Sequence, residues 1–150
     1  MMTQLFPSDV FWSIPRYPHP GAFGGPRTHD LHTGVDLYVP EGTPVYAIAS
    51  GTVVDVSVFT GPNANPPCPW WNETYAVTIY HPSLKAYILY GEIIPFHFPS
   101  PTERVFIHKG DLIGQVLRVL KKDKGKPMSM LHLEAYVKDP IGPHPYWKHG

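Results

Sequence analysis

The chain has 150 residues, enough for a single domain that buries a core of its own. Lysine plus arginine and aspartate plus glutamate stand at 12 each, so no net charge favours nucleic acid or an anionic membrane, and neither is expected as a partner. Nineteen prolines and thirteen glycines argue against long helices, one cysteine excludes an internal disulfide, and no stretch approaches the ~20 apolar residues of a membrane helix.

In chain order, residues 1 to about 30 read as an irregular lead-in rich in proline and aromatics, with Phe11, Trp12 and Phe23 expected to pack onto the domain. The opening MMTQLFPSDVFW shows no basic start, long apolar centre or cleavage site, so a chain beginning here is expected to stay in the cytoplasm or to leave by another route. GVDLYV then alternates: Val35, Leu37 and Val39 share one face of a strand, and Gly34, Asp36 and Tyr38 the other. VYAIA and TVVDVSV follow as strands in a hairpin or corner, with turns at PEGTP and Gly51. TGPNANPPCPWWNE is a long loop of the kind that walls a functional groove. Its Trp70 and Trp71, with Tyr75 just after it, either clamp a ligand or anchor the loop, the second being the plainer reading. Cys68 lies in this loop with no cysteine or histidine at ligand spacing, so it is read as a partly shielded thiol.

TYAVTIYH and KAYILYGEI are predicted as an antiparallel pair joined at HPSL, where His81 reads either as a groove residue or as part of the turn. After a proline-broken loop, VFIHKGDLIGQVLRVL gives two strands around a tight KGD turn. KKDKGKPMS is a solvated tip, MLHLEAYV the last strand, and residues 138–150 an irregular tail. The expectation is one all-β domain over residues 1–150, with about eight short strands and almost no helix.

Three short motifs carry chemistry. In HTGVD, His32 and Asp36 fall on the same side of an extended chain, with Gly34 leaving room between them. Taken alone, this pair reads at least as well as a surface histidine and a turn aspartate. In MLHLEAYV the leucines and Ala135 form one face and Met130, His132, Glu134 and Tyr136 the other, so His132 is either a ligand or a hydrogen-bonded half-buried residue. In KAYILYGEI, Tyr90 and Glu92 are expected on one face, and Glu92 is open to three readings: base, ligand or rim charge.

Together these segments resemble the lysostaphin-type (LytM-like) zinc metallopeptidase family over about residues 21–137. The residues that carry the resemblance are GAFGGPR, HTGVDLYVPEGTPVYAIASGTVV, KGDLIGQV and MLHLEAY. It implies an antiparallel two-sheet β-sandwich with a groove, one zinc ion on His32, Asp36 and His132, and a peptide or peptidoglycan-like substrate. Three protein ligands with one open position are the pattern of a catalytic zinc.

The chain departs from the family at both catalytic histidines. Its His-x-His reads Met130-Leu131-His132, and its Tyr-x-His reads Tyr90-Gly91-Glu92. Met130 cannot transfer a proton, whereas Glu92 can act as general base or close the zinc as a fourth ligand. The expectation is a peptide hydrolase with Glu92 as base and Tyr90 as donor to a developing oxyanion. The alternative is an inactive zinc-binding module that recognises a peptide, glycan or protein. Arg27 is a further candidate, for a substrate carboxylate, while His19, His97, His108, His144 and His149 have no partner at ligand spacing.

Overall fold

The computed structural model describes residues 5–10, 34–65, 67–97, 99, 103–120 and 129–137. Among them lie eight strands: β1 Val35–Tyr38, β2 Pro44–Tyr46, β3 Gly51–Thr60, β4 Thr74–His81, β5 Ala86–Pro95, β6 Val105–Ile107, β7 Leu112–Val116 and β8 Met130–Tyr136. No α-helix occurs among the described residues, and none of them forms a helix long and apolar enough to cross a membrane. Every strand anticipated from the sequence is present. The expected packing of Phe11, Trp12 and Phe23 lies outside the described residues, but Leu5 and Phe6 of the lead-in are buried, with the Leu5 carbonyl accepting from the Tyr46 amide at 2.9 Å.

All pairings are antiparallel, in the order β1-β8-β5-β4-β3-β6, with β2 pairing to β7 and β7 also to β5. Hydrogen bonding thus runs through all eight strands, and β5 is the bridge. Its first half pairs with β8, as far as Gly91 opposite His132, and its last residues pair with β7, from Ile93 opposite Val116. The β4–β5 pair matches the sequence expectation. Of the two readings of VYAIA and TVVDVSV, the corner is the one observed. After β2 the chain stays tied to the 108–111 turn, by bonds Ala47 N to Asp111 O and Gly110 N to Ala47 O, both 2.9 Å, before β3 leaves to pair with β4 and β6.

One core holds the strands together. Leu37, Val45, Ala47, Val77, Ile79, Ile88, Tyr90, Ile93, Ile113, Val116 and Leu131 are all buried in it. Full burial of one such aliphatic side chain contributes roughly 1.5–3 kcal/mol. β4 and β5 are covered on both faces over most of their length, as central strands with a core on one side and further structure on the other. For β5 that further structure includes the candidate site.

The long loop is anchored at its end: Asn72 N donates to the Val119 carbonyl at 2.7 Å, Asn72 Nδ2 to the Arg118 carbonyl at 3.0 Å, and Trp71 bridges to Leu120. The Tyr75 hydroxyl and Asn63 Nδ2 both donate to Glu73, at 2.5 and 2.8 Å. Tyr75 and Trp71 thus serve to fix the loop, whereas Trp70 is 68% exposed.

Candidate metal centre

Strand alternation and register build the site. On β8, Leu131 lies in the core and Leu133 packs against it, which turns His132 and Glu134 to the opposite face. Residues directly opposite each other in a ladder share a face, so Asp36 of β1 and Gly91 of β5 flank His132 from its two sides. Asp36 is 2% exposed and His132 5%. His132 Nδ1 lies 2.7 Å from Asp36 Oδ1.

Glu92 enters from β5 by a different device. The ladder to β4 matches Ala76 with Gly91 and Tyr75 with Ile93, so Glu92 is the extra residue of a bulge. Its φ is 65°, in the left-handed region that L-residues seldom occupy. A bulge re-aims the side chain it carries. Here one ligand atom each from Asp36, Glu92 and His132 lie within 4.8 Å of one another, and all three residues are buried.

That donor set fits a divalent ion. Donors ~2.0–2.2 Å from one zinc stand about 3–4 Å apart, and imidazole with carboxylate is an ordinary zinc set. Room is preserved by glycine. A Cβ on Gly34 would lie 2.7 Å from both His132 Nε2 and Glu134 Cγ and 2.5 Å from the Leu133 carbonyl oxygen. A Cβ on Gly91 would meet the Phe59 ring at 3.0 Å, and that ring sits 5.3 Å from the His132 imidazole, centre to centre.

The electrostatics follow from burial among carboxylates. Burial alone pushes the His132 imidazole down. The hydrogen bonds to Asp36 and Glu134, with the charges of Asp36 and Glu92, outweigh it and hold the group up, at about 10. A cation at the cluster therefore competes with a proton for His132 Nδ1, the nitrogen that lies 2.7 Å from Asp36.

The residues expected to form the site divide into three groups. Asp36, Glu92 and His132 converge, while His32 and Arg27 lie outside the described residues. Tyr90 does not join them. The bulge breaks the parity that would have put Tyr90 and Glu92 on one face, and Tyr90 is fully buried in the core. Its hydroxyl lies 2.8 Å from His81 Nε2 and accepts from the Ile48 amide at 3.4 Å, and burial raises its pKa. Tyr90 thus stands in the core and outside the group formed by Asp36, Glu92 and His132. His81 is likewise a core residue, its Nδ1 3.1 Å from the Ser50 carbonyl, and burial lowers its pKa. His97 pairs with Glu103 at 3.0 Å and His108 packs on Phe106, neither of them in the cluster.

Three neighbours of the cluster were not assigned from the sequence. Glu134 Oε1 lies 2.7 Å from His132 Nε2, and the Tyr136 hydroxyl donates to Glu134 Oε2. Their signal was the alternation His132-x-Glu134-x-Tyr136 on one strand face. Phe59 left no such signal, because it too sits where β3 slips register, between Val58 and Thr60.

An all-β domain thus presents a buried histidine–carboxylate cluster at a strand bulge, a donor set suited to a metal ion. The chain matches peptidase family M23 over residues 30–143, and it belongs to that family. It resembles the crystal structure of a zinc-containing peptidase from Vibrio cholerae at 20% identity, with a TM-score of 0.55, over 90% of this chain and 36% of that one. It also resembles Helicobacter pylori Csd3, in a hexagonal crystal, at 24% identity and a TM-score of 0.50, over 93% of this chain and 32% of that one. The chain thus spans about a third of the length of those proteins, and at these identities the likeness concerns the fold. No curated protein matches it.

Proposed function

We propose that this domain is a zinc-dependent peptide hydrolase in which His32, Asp36 and His132 hold one zinc ion and Glu92 is the general base. The observation that carries this reading is the approach of the Glu92 carboxylate to Asp36 and His132 from a left-handed bulge residue. Backbone strain of that kind costs of order 1–3 kcal/mol and is concentrated at functional sites. Peptide cross-links of bacterial cell walls, the usual substrates of the family it resembles, are the proposed substrate class.

A bound zinc supplies Lewis acidity toward a peptide carbonyl and makes water a better nucleophile near neutral pH. The chain's own groups do the rest. Asp36 and His132 orient around the ion, and Glu92 takes the proton of the attacking water and returns it to the leaving amine. Met130, 5% exposed and on the same strand face as His132, contributes no proton, so Glu92 carries the acid–base work that two histidines share elsewhere in the family.

The test compares zinc-loaded wild type with Glu92→Gln on peptidoglycan and on a peptide panel, with zinc content measured for both. Glu92→Gln should keep its zinc and lose about 10²- to 10⁴-fold in turnover, the usual size of positioned acid–base catalysis. Wild type that holds zinc and cuts nothing on the panel would remove the proposal. A second reading is a closed, non-catalytic zinc module that recognises a peptide or glycan. It draws on the same short approach of Glu92, which suits a fourth ligand, and on methionine at position 130. Loss of zinc from Glu92→Gln would favour it.

A further inference from the structure

The face of β8 that carries His132 also carries a buried carboxylate that holds no position in the donor cluster. Glu134 is 4% exposed, and leaving a carboxylate in such a place costs several kcal/mol unless its oxygens are satisfied. Both are: Oε1 takes His132 Nε2 at 2.7 Å, and Oε2 takes the Tyr136 hydroxyl. The three residues are spaced i, i+2, i+4 on one strand, so the chain of bonds runs along the strand axis and ends at the ring whose other nitrogen faces Asp36. The first strand closes over this chain. At Gly34 the backbone comes so near that any side-chain carbon would overlap His132 Nε2 and Glu134 Cγ.

We propose that Glu134, itself held by Tyr136, is the positioning residue of the metal centre: it fixes the hydrogen of His132 on Nε2 and thereby directs the Nδ1 lone pair toward the ion. This rests on the reading of the cluster as a metal site. A charged acceptor gives a strong, directional hydrogen bond to an imidazole N–H, which makes the ring a more basic ligand and stops it from turning. Tyr136 matters because a carboxylate bound at only one oxygen can swing. With its second oxygen occupied, its only remaining freedom is that of the strand.

The experiment measures zinc affinity by chelator competition for wild type, Glu134→Gln and Tyr136→Phe. In parallel it records the visible spectrum of each cobalt-substituted protein and the thermal midpoint of each metal-free protein. Glutamine keeps the shape of the side chain and removes its charge. Glu134→Gln should bind zinc about 10- to 100-fold more weakly, the usual cost of losing an orienting partner, and should alter the cobalt bands. Tyr136→Phe should move both readouts in the same direction by less, with little change in the metal-free midpoint. Equal zinc affinity and unchanged cobalt spectra in both variants would overturn the inference, as would losses of affinity no larger than the loss of metal-free stability. If Glu134→Gln does not fold, Tyr136→Phe decides by the same criteria. A wild type that takes up no zinc would fail the metal-site reading itself, whereas zinc uptake undiminished in the variants would fail only this step.

Discussion

Replacing Glu92 by glycine should leave the metal-free protein more stable than replacing it by alanine, while both remove its chemistry. The left-handed backbone at φ 65° costs an L-residue roughly 1–2 kcal/mol, and glycine escapes that cost. Glycine also gives the unfolded chain more freedom, which takes back about 0.5–1 kcal/mol. At the middle of the two ranges the balance favours glycine by about 0.7 kcal/mol on backbone grounds. Charge effects complicate a direct comparison with wild type, because the carboxylate is near both Asp36 and the imidazolium of His132. Glu92→Ala removes the carboxylate and keeps the strained backbone, so it is the proper reference. Urea unfolding of the chelator-treated proteins should therefore place glycine above alanine by a few tenths molar in midpoint, given slopes of about 1–3 kcal/mol per molar. Both variants should lose the activity proposed for Glu92. A glycine variant no more stable than the alanine variant would refute the argument that this bulge stores strain at the site.

Other consequences are as direct. Gly34→Ala should cost about 1–3 kcal/mol in urea unfolding and weaken zinc uptake, since an added Cβ would meet the Leu133 carbonyl oxygen, strand backbone that cannot give way, at 2.5 Å; wild-type-like stability would show that the backbone at Gly34 leaves room for a methyl group. Zinc at a hundredfold excess over its dissociation constant should add about 2.7 kcal/mol to wild type and nothing to His132→Ala, read by thermal unfolding with and without chelator. His81 supplies a pH dependence. Burial holds its folded pKa below the ordinary histidine value of about 6.5, so the unfolded chain binds the extra proton first. The stability it contributes is complete above about 6.5 and falls as pH drops below that value. In chelated protein between pH 7 and 5, His132 is protonated in the fold throughout and adds its own slope only as the unfolded histidine titrates. Subtracting the Tyr90-compatible variant His81→Gln from wild type therefore isolates His81, and identical slopes in the two proteins would contradict its burial as a neutral ring.

The strands were legible because period-2 alternation and turn residues are local signals. GVDLYV and MLHLEAYV showed at once which side chains share a face, and Asp36 indeed stands opposite His132. Pairing is not local, so VYAIA admitted a hairpin with its neighbour when its partner is β7, about seventy residues on. The separation of Tyr90 from Glu92 has one physical source. Alternation assumes an unbroken ladder, and a single inserted residue moves everything after it to the other face. Nothing in Tyr90-Gly91-Glu92 marks glutamate, rather than glycine, as the left-handed residue. Glu134 was visible on the right face, yet its meaning depends on a distance that no spacing rule supplies.

The bulge at Glu92 joins the fold to the chemistry. Before it, β5 is bonded to β8, and after it to β7, with the Glu92 carbonyl itself accepting from the Leu117 amide at 3.0 Å. A strand that changes partners must change direction, and the extra residue is where it turns. The same turn frees one side chain from strict alternation, so Glu92 reaches Asp36 and His132 while Tyr90, two residues earlier, remains in the core. The long-range pairings of β5 therefore hold the strained residue in place: the backbone that presents the Glu92 side chain is fixed by three neighbouring strands, not by the local turn alone.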